Sequence, residues 1–184
     1  MSLVTRLGNL GNIMEEDESQ LDILQLDSPV LLNGEFEVLR EHMGGTAVEI
    51  DCTFRPSDGE NALRNAIYRL QSESEDAVRG GSKHLVLHDC CTDSEYAPVP
   101  MILATAAVHT HLVQSRLRTF TSLNVRSAEC LDVHYLAVLI GVGATTVNAY
   151  LAQESIADRH ARGLFSNLSL HEALQRFKTA VDNG

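Results

Sequence analysis

Asp89, Cys90, Glu129 and Asn148 each follow a short run of strand-like residues, and their side chains are of the types that do chemistry. In parallel α/β proteins, sites gather at the carboxyl ends of strands. Here those ends are Phe54-Arg55, Asp89-Cys90-Cys91, Glu129-Cys130 and Asn148-Ala149-Tyr150. Asp89 and Glu129 could act as general acid and base, with Cys90 as nucleophile or metal ligand. Any parallel sheet ends in polar loops, however, and no partner spacing singles these residues out, so a structural role is the preferred reading.

His88-Asp89-Cys90-Cys91 also invites a metal reading. His84 and His88 share one face of an extended strand but lie roughly 13 Å apart, too far to hold one ion. His109 and His111, two apart on a helix, point to nearly opposite sides. No metal site is expected. Gly141-Val142-Gly143-Ala144 looks like a dinucleotide loop, but such a loop leaves a strand and opens a helix, whereas these residues leave a helix and enter a strand. Close helix-to-strand packing is the better explanation. His134, at the start of the same helix, could donate to a substrate or hydrogen-bond a neighbouring loop. No Walker loop, Ser-His-Asp arrangement or cysteine cluster for iron and sulfur appears.

The elements that must position these residues emerge from periodicity. Residues 1–46 mix turn residues, acids and isolated leucines, and read as an irregular, partly helical lead-in. From Ala47 to Phe54 apolar and polar residues alternate, which marks a strand at an edge or half exposed. Ser57-Asp58-Gly59-Glu60 spells a capping box ahead of Leu63, Ala66, Ile67, Leu70, Ala77 and Val78 at helical spacing, and Gly80-Gly81 stops that helix. Lys83 to Asp89 is a buried parallel strand. Pro98 and Pro100 open a helix over 101–116, Ser122 to Ser127 is the next strand, and Asp132 caps the run from Val133 to Gly141. That run is apolar on every side, which predicts burial on more than one face. A short Thr-Thr-Val-Asn strand and amphipathic helices over 150–162 and 169–182 follow. The alternation defines an α/β class with parallel, right-handed βα repeats over 47–184.

A length of 184 residues and 44% hydrophobic content suit one domain with its own core. A formal charge of -11, from 14 Lys and Arg against 25 Asp and Glu, argues against nucleic acid or an anionic membrane surface as partner. No apolar stretch spans a bilayer and no signal peptide is visible, so the chain reads as cytoplasmic. Cysteines at 52, 90, 91 and 130 lack the spacing of a disulfide framework and are expected to be reduced thiols.

Taken together, six segments in order resemble the central domain of the large subunit of glutamate synthase: Leu24 to Leu31, Ile50 to Phe54, Ala77 to Gly81, Leu85 to Asp89, Pro100 to Leu112, and Val133 to Ala152. They cover nearly the whole chain; Met1-Ser2-Leu3 does not fit and reads as a cloning scar. The resemblance implies a partial TIM-barrel-like fold related to FMN-linked oxidoreductase barrels. It implies a scaffold that joins a glutaminase domain to an FMN-binding domain of the same chain and helps wall an ammonia passage. The parent enzyme would convert glutamine, 2-oxoglutarate and reductant to glutamate, using FMN and an iron-sulfur cluster and a small subunit or ferredoxin as partner. Within this segment it implies no catalytic, cofactor or metal residues; Asp89, Glu129, His134 and Asn148 are the interface or channel candidates. Excised, the domain is expected to self-associate. The chain departs from the family pattern at Cys90, Val142 and Ala149, where Arg, Tyr and Pro are usual. The alternative is a free-standing small-molecule enzyme on a partial β/α barrel, using Asp89, Cys90 and Glu129.

Overall fold

The computed structural model describes residues 3–15, 18–165 and 167–184. Met1 and Ser2 of the expected scar, and Glu16 and Asp17 of the lead-in, lie outside the described residues. Within the lead-in, β1 (Thr5–Leu7) pairs antiparallel with β2 (Leu24–Leu26), and α1 (Asn33–Met43) follows. The Leu32 N–H donates to the carboxylate of Glu35, at 2.8 Å, which fixes the start of α1.

The alternating segment forms β3 (Ala47–Asp51), then the two-residue β4 (Thr53–Phe54). Helix α2 (Ala62–Arg79) buries Ala62, Ala66, Leu70, Ser74 and Val78, every fourth residue, so a single stripe faces the sheet. The expected capping box is not made. Pro56–Asp58 forms a separate 3-10 turn, and Gly59, at φ 96°, turns the chain again before α2 begins just after Asn61, whose side chain makes no capping hydrogen bond. A proline that pre-sets one turn and a glycine in the left-handed region break the local match to the box. Gly81, at φ 95°, lets the chain leave α2, its N–H bonding the carbonyl of Val78.

Next come β5 (His84–His88), the short β6 (Ala97–Pro98) paired with β4, and α3 (Met101–Gln114). Then follow β7 (Ser122–Arg126), α4 (Val133–Gly141), β8 (Thr146–Asn148), α5 (Tyr150–Ala161) and α6 (Leu170–Asn183). The main sheet is parallel throughout, in the order β3-β5-β7-β8, with β3 at one edge as its polar alternation predicts. Beyond β8 the lead-in continues the pairing: Val30 bridges Val147, with Leu31 N–H bonding the Val147 carbonyl and Val147 N–H the Pro29 carbonyl.

Alternate side chains of each strand enter different cores. Leu85, Leu87, Leu123, Val125 and Val147 pack with Leu70, Met101, Val108, Leu112, Leu136 and Leu139 from α2, α3 and α4. On the opposite face Val86 joins Leu7, Leu31, Phe36, Leu39 and Met43 from the lead-in. This second face also carries a buried polar ladder across three strands. His84 Nδ1 lies 2.7 Å from Ser122 Oγ, Asn124 Nδ2 donates to Ser122 Oγ and the Leu85 carbonyl, and Thr146 Oγ1 donates to Asn124 Oδ1 at 2.7 Å. Satisfied polar rungs specify one register, because a slip would bury each group without its partner.

Helix α4 corrects the expectation of burial on more than one face. Only Leu136 and Leu139 are fully buried, while Ile140 is 37% exposed and Leu131, just before the helix, 64%. Hydrophobicity all round the helix sets its affinity for a partner but does not supply a second one.

Candidate functional site at the strand ends

Three of the four expected candidates meet where β5, β7 and β8 end. Asp89, 1% exposed, accepts hydrogen bonds from Ser127 Oγ at 2.9 Å and from the Ala128 N–H at 2.9 Å. Burial pushes its carboxyl above the ordinary aspartate range despite these donors. The Ser127 hydroxyl also accepts from the Glu129 N–H at 3.1 Å, and the Ser127 N–H bonds the Asn148 carbonyl. Asp89 thus ties the loop after β7 to the end of β5.

Glu129 serves two helices. Its carboxylate accepts the Met101 N–H at 3.0 Å, at the positive end of α3, and the hydroxyl of Tyr135 in α4. Burial first, and that hydrogen bond second, raise the Tyr135 phenol well above its ordinary pKa, so it stays a donor. Asp132 caps α4 as expected, Oδ1 accepting the Tyr135 N–H at 2.8 Å.

Asn148 fastens the lead-in. Its amide donates to the Leu31 carbonyl at 3.0 Å and to Asn33 Oδ1 at 2.9 Å, while Gln153 donates to the same carbonyl and accepts the Asn33 N–H at 2.7 Å. His134 is not brought to this cluster; it lies exposed in the first turn of α4. Arg126, at the end of β7, pairs with Glu37 at 3.2 Å and sits over the rings of Phe36, at 5.2 Å, and Tyr150, at 5.6 Å. Sequence reasoning missed this residue, whose one signal is a cation closing an apolar strand.

Burial disfavours the thiolate at the cysteines near these strand ends. Burial lifts Cys52 and Cys130 to about 12, and burial also raises exposed Cys90. A cleft of about 440 Å³ beside the end of β3 is lined by Asp51, Thr53, Arg55, Arg69 and Tyr96 among others. Arg69 is committed there to the carbonyls of Asp51 and Thr53, at 3.0 and 2.8 Å. Nearby, Asp51, His88 and Cys91 place one ligand atom each within 4.8 Å of the others. Sequence spacing hides this group because Asp51 and His88 become neighbours only through the β3–β5 register.

Of the two glycines around the end of α4, Gly143 has the packing role expected and Gly141, the last residue of the helix, does not. Gly143 adopts φ 118°, and a Cβ there would overlap the imidazole of His109 on α3. Arg118 completes this corner, donating to His109 Nδ1 at 3.1 Å and to the carbonyls of Thr121 and Gly143 at 2.7 and 2.9 Å.

Fold and strand-end geometry together define a parallel α/β domain whose acids hold loops and helix ends in place. The chain belongs to the glutamate synthase central domain family, which matches it over residues 1–184. That match includes Met1-Ser2-Leu3, which the sequence reading sets apart. The chain is 61% identical over 184 residues to the glutamate synthase [NADPH] large chain of Azospirillum brasilense, covering 100% of this chain and 12% of that protein. It is 34% identical over 189 residues to the glutamate synthase [NADH] of Schizosaccharomyces pombe, covering 100% of this chain and 9% of that protein. It is 34% identical over 196 residues to the chloroplastic ferredoxin-dependent glutamate synthase of Spinacia oleracea, covering 100% of this chain and 12% of the relative. The chain therefore spans about a tenth of the length of these relatives.

Proposed function

We propose that this chain works as the central, structural domain of a glutamate synthase large subunit, joining a glutaminase domain to an FMN-binding domain and helping to wall the passage of ammonia between them. The parent enzyme turns glutamine, 2-oxoglutarate and reductant into two glutamates in the cytoplasm, with FMN and an iron-sulfur cluster held outside this segment and a small subunit or ferredoxin supplying electrons. The observation that carries the reading is the family match along the whole chain, joined to strand ends whose acids are already committed.

Residues 47–184 act as the β/α unit, with 1–46 as its lead-in. Kinship with a partial β/α barrel is supported by the steady strand order and by α2, α3 and α4 sharing one core with one face of the sheet. Asp89, Glu129 and Asn148 are the candidates for shaping an interface at the strand ends, and His134 for a contact made by α4. The rival reading of a free-standing enzyme needs Cys90 as an active thiolate, and the raised pKa of that thiol weighs against it.

The test is to purify the 184-residue chain and assay it with glutamine, 2-oxoglutarate and a reductant. The expected result is a colourless protein without turnover, in which Asp89→Ala and Glu129→Ala lower the melting temperature. Stoichiometric flavin absorbance, or a turnover that either substitution abolishes, would overturn the proposal.

A further inference from the structure

We infer that Asp51, His88 and Cys91 form a binding site for a thiophilic divalent cation of the zinc class, at the carboxyl end of β3 and β5 and separate from the scaffold role proposed above. Asp51 and His88 are direct register partners on adjacent parallel strands, so their side chains leave the same face side by side. The turn after β5 brings Cys91 back toward them, and the three ligand atoms lie within 4.8 Å of one another. Tetrahedral zinc with bonds of about 2.0 to 2.3 Å sets its donors roughly 3.3 to 3.8 Å apart. The exposed Cys91 side chain is the free member that closes this difference by rotation.

Two further observations point to a ligand. The His88 imidazole makes no hydrogen bond among the described residues, and its Nδ1 is buried without a partner. An imidazole left unspent beside a carboxylate and a thiol costs desolvation that coordination would recover. The Asp51 carboxylate, in contrast, is already oriented: Oδ1 accepts the Thr53 N–H and Oδ2 the Thr53 hydroxyl, each at 3.0 Å. Such outer contacts are what hold a ligating carboxylate in one direction.

One sulfur, one nitrogen and one oxygen donor suit a borderline-soft ion and leave a fourth position for water. Magnesium and calcium, which take oxygen ligands, do not fit the set. Binding replaces the Cys91 thiol proton by the metal and releases it to solvent. Asp89 and Cys90 stand outside the group, since Asp89 is held by Ser127 and Ala128 on the neighbouring strand's loop.

The experiment titrates the reduced, metal-free chain with Co²⁺ and then displaces it with Zn²⁺, following near-ultraviolet thiolate-to-cobalt absorption. One equivalent should bind with that band present, and Zn²⁺ should abolish it. Cys91→Ser should remove the band and weaken binding at least tenfold, His88→Gln should weaken it comparably, and Cys90→Ser should change neither. Cys91→His should keep Co²⁺ binding while losing the thiolate band. Circular dichroism confirms that each variant is folded. Binding by the parent chain no tighter than by Cys91→Ser, or a band that depends on Cys90 rather than Cys91, would overturn the site. Neither result bears on whether the chain is a synthase domain, which the turnover and flavin measurements decide separately.

Discussion

At the scale of single residues, a histidine and a carboxylate show how burial directs chemistry away from catalysis. His84 is 6% exposed in the polar ladder, and burial, followed by the charge of Lys83, pulls its imidazole down to about 4. In the unfolded chain the same ring titrates near 6.5. Between those values the unfolded chain binds a proton that the folded chain refuses. Stability is therefore full above about pH 6.5 and declines as pH falls toward the folded value. Urea unfolding at about pH 7 and about pH 5 should differ by about 1 to 2 kcal/mol from this group, allowing for screening. His84→Gln should flatten that part of the slope, and an unchanged slope would remove His84 as its source. Asp89 was legible from its place at the end of an apolar run. Its commitment to Ser127 and Ala128 was not, because those partners come from the next βα unit, 38 and 39 residues later.

At the scale of elements, local pattern and tertiary context divide the credit unevenly. The stripe in α2, the apolar run of β5 and the Asp132 cap are written in neighbouring residues, so periodicity found them. The hairpin of β1 and β2 joins two three-residue strands across a long connection, too short for any alternation to register. The capping box failed for the opposite reason: its letters were present, but Pro56 and Gly59 had claimed the same residues for a turn. Gly143 lies between α4 and β8 with His109 of α3 against it, and its substitution is informative. Gly143→Ala should cost roughly 2 to 4 kcal/mol, from the left-handed φ and the overlap with His109 together. Gly141→Ala, whose added methyl meets nothing within 4 Å beyond its own helix backbone and chain neighbours, is the control and should be close to neutral in thermal melts.

At the scale of the whole molecule, the interior is organised and part of the exterior is not. Leu131 (64%), Leu164 (65%), Leu103 (43%) and Leu151 (42%), in or next to α3, α4 and α5, remain exposed. Among the described residues no helix is long and apolar enough to cross a membrane. The scaffold role proposed above predicts that neighbouring domains cover these side chains. The isolated chain should accordingly self-associate, and sedimentation velocity over a range of concentrations measures it; a constant monomer at high concentration would count against that role. The sequence made this exposure visible only indirectly, through α4. An apolar helix states its demand for contact but does not name what covers it.

The two margins of the main sheet differ in kind. On one side the chain's own segment around Val30 takes up the hydrogen bonds of β8; on the other, β3 presents Glu49 and Asp51. A margin already paired has nothing to offer an incoming strand; the other carries charged side chains, Glu49 lying 3.6 Å from Arg40, and charge along an edge discourages strand addition. Self-association of the excised chain is therefore expected to run through helix side chains, with amide-exchange protection in the sheet remaining that of the single chain. A rise in protection along β3 with concentration would show the sheet growing instead.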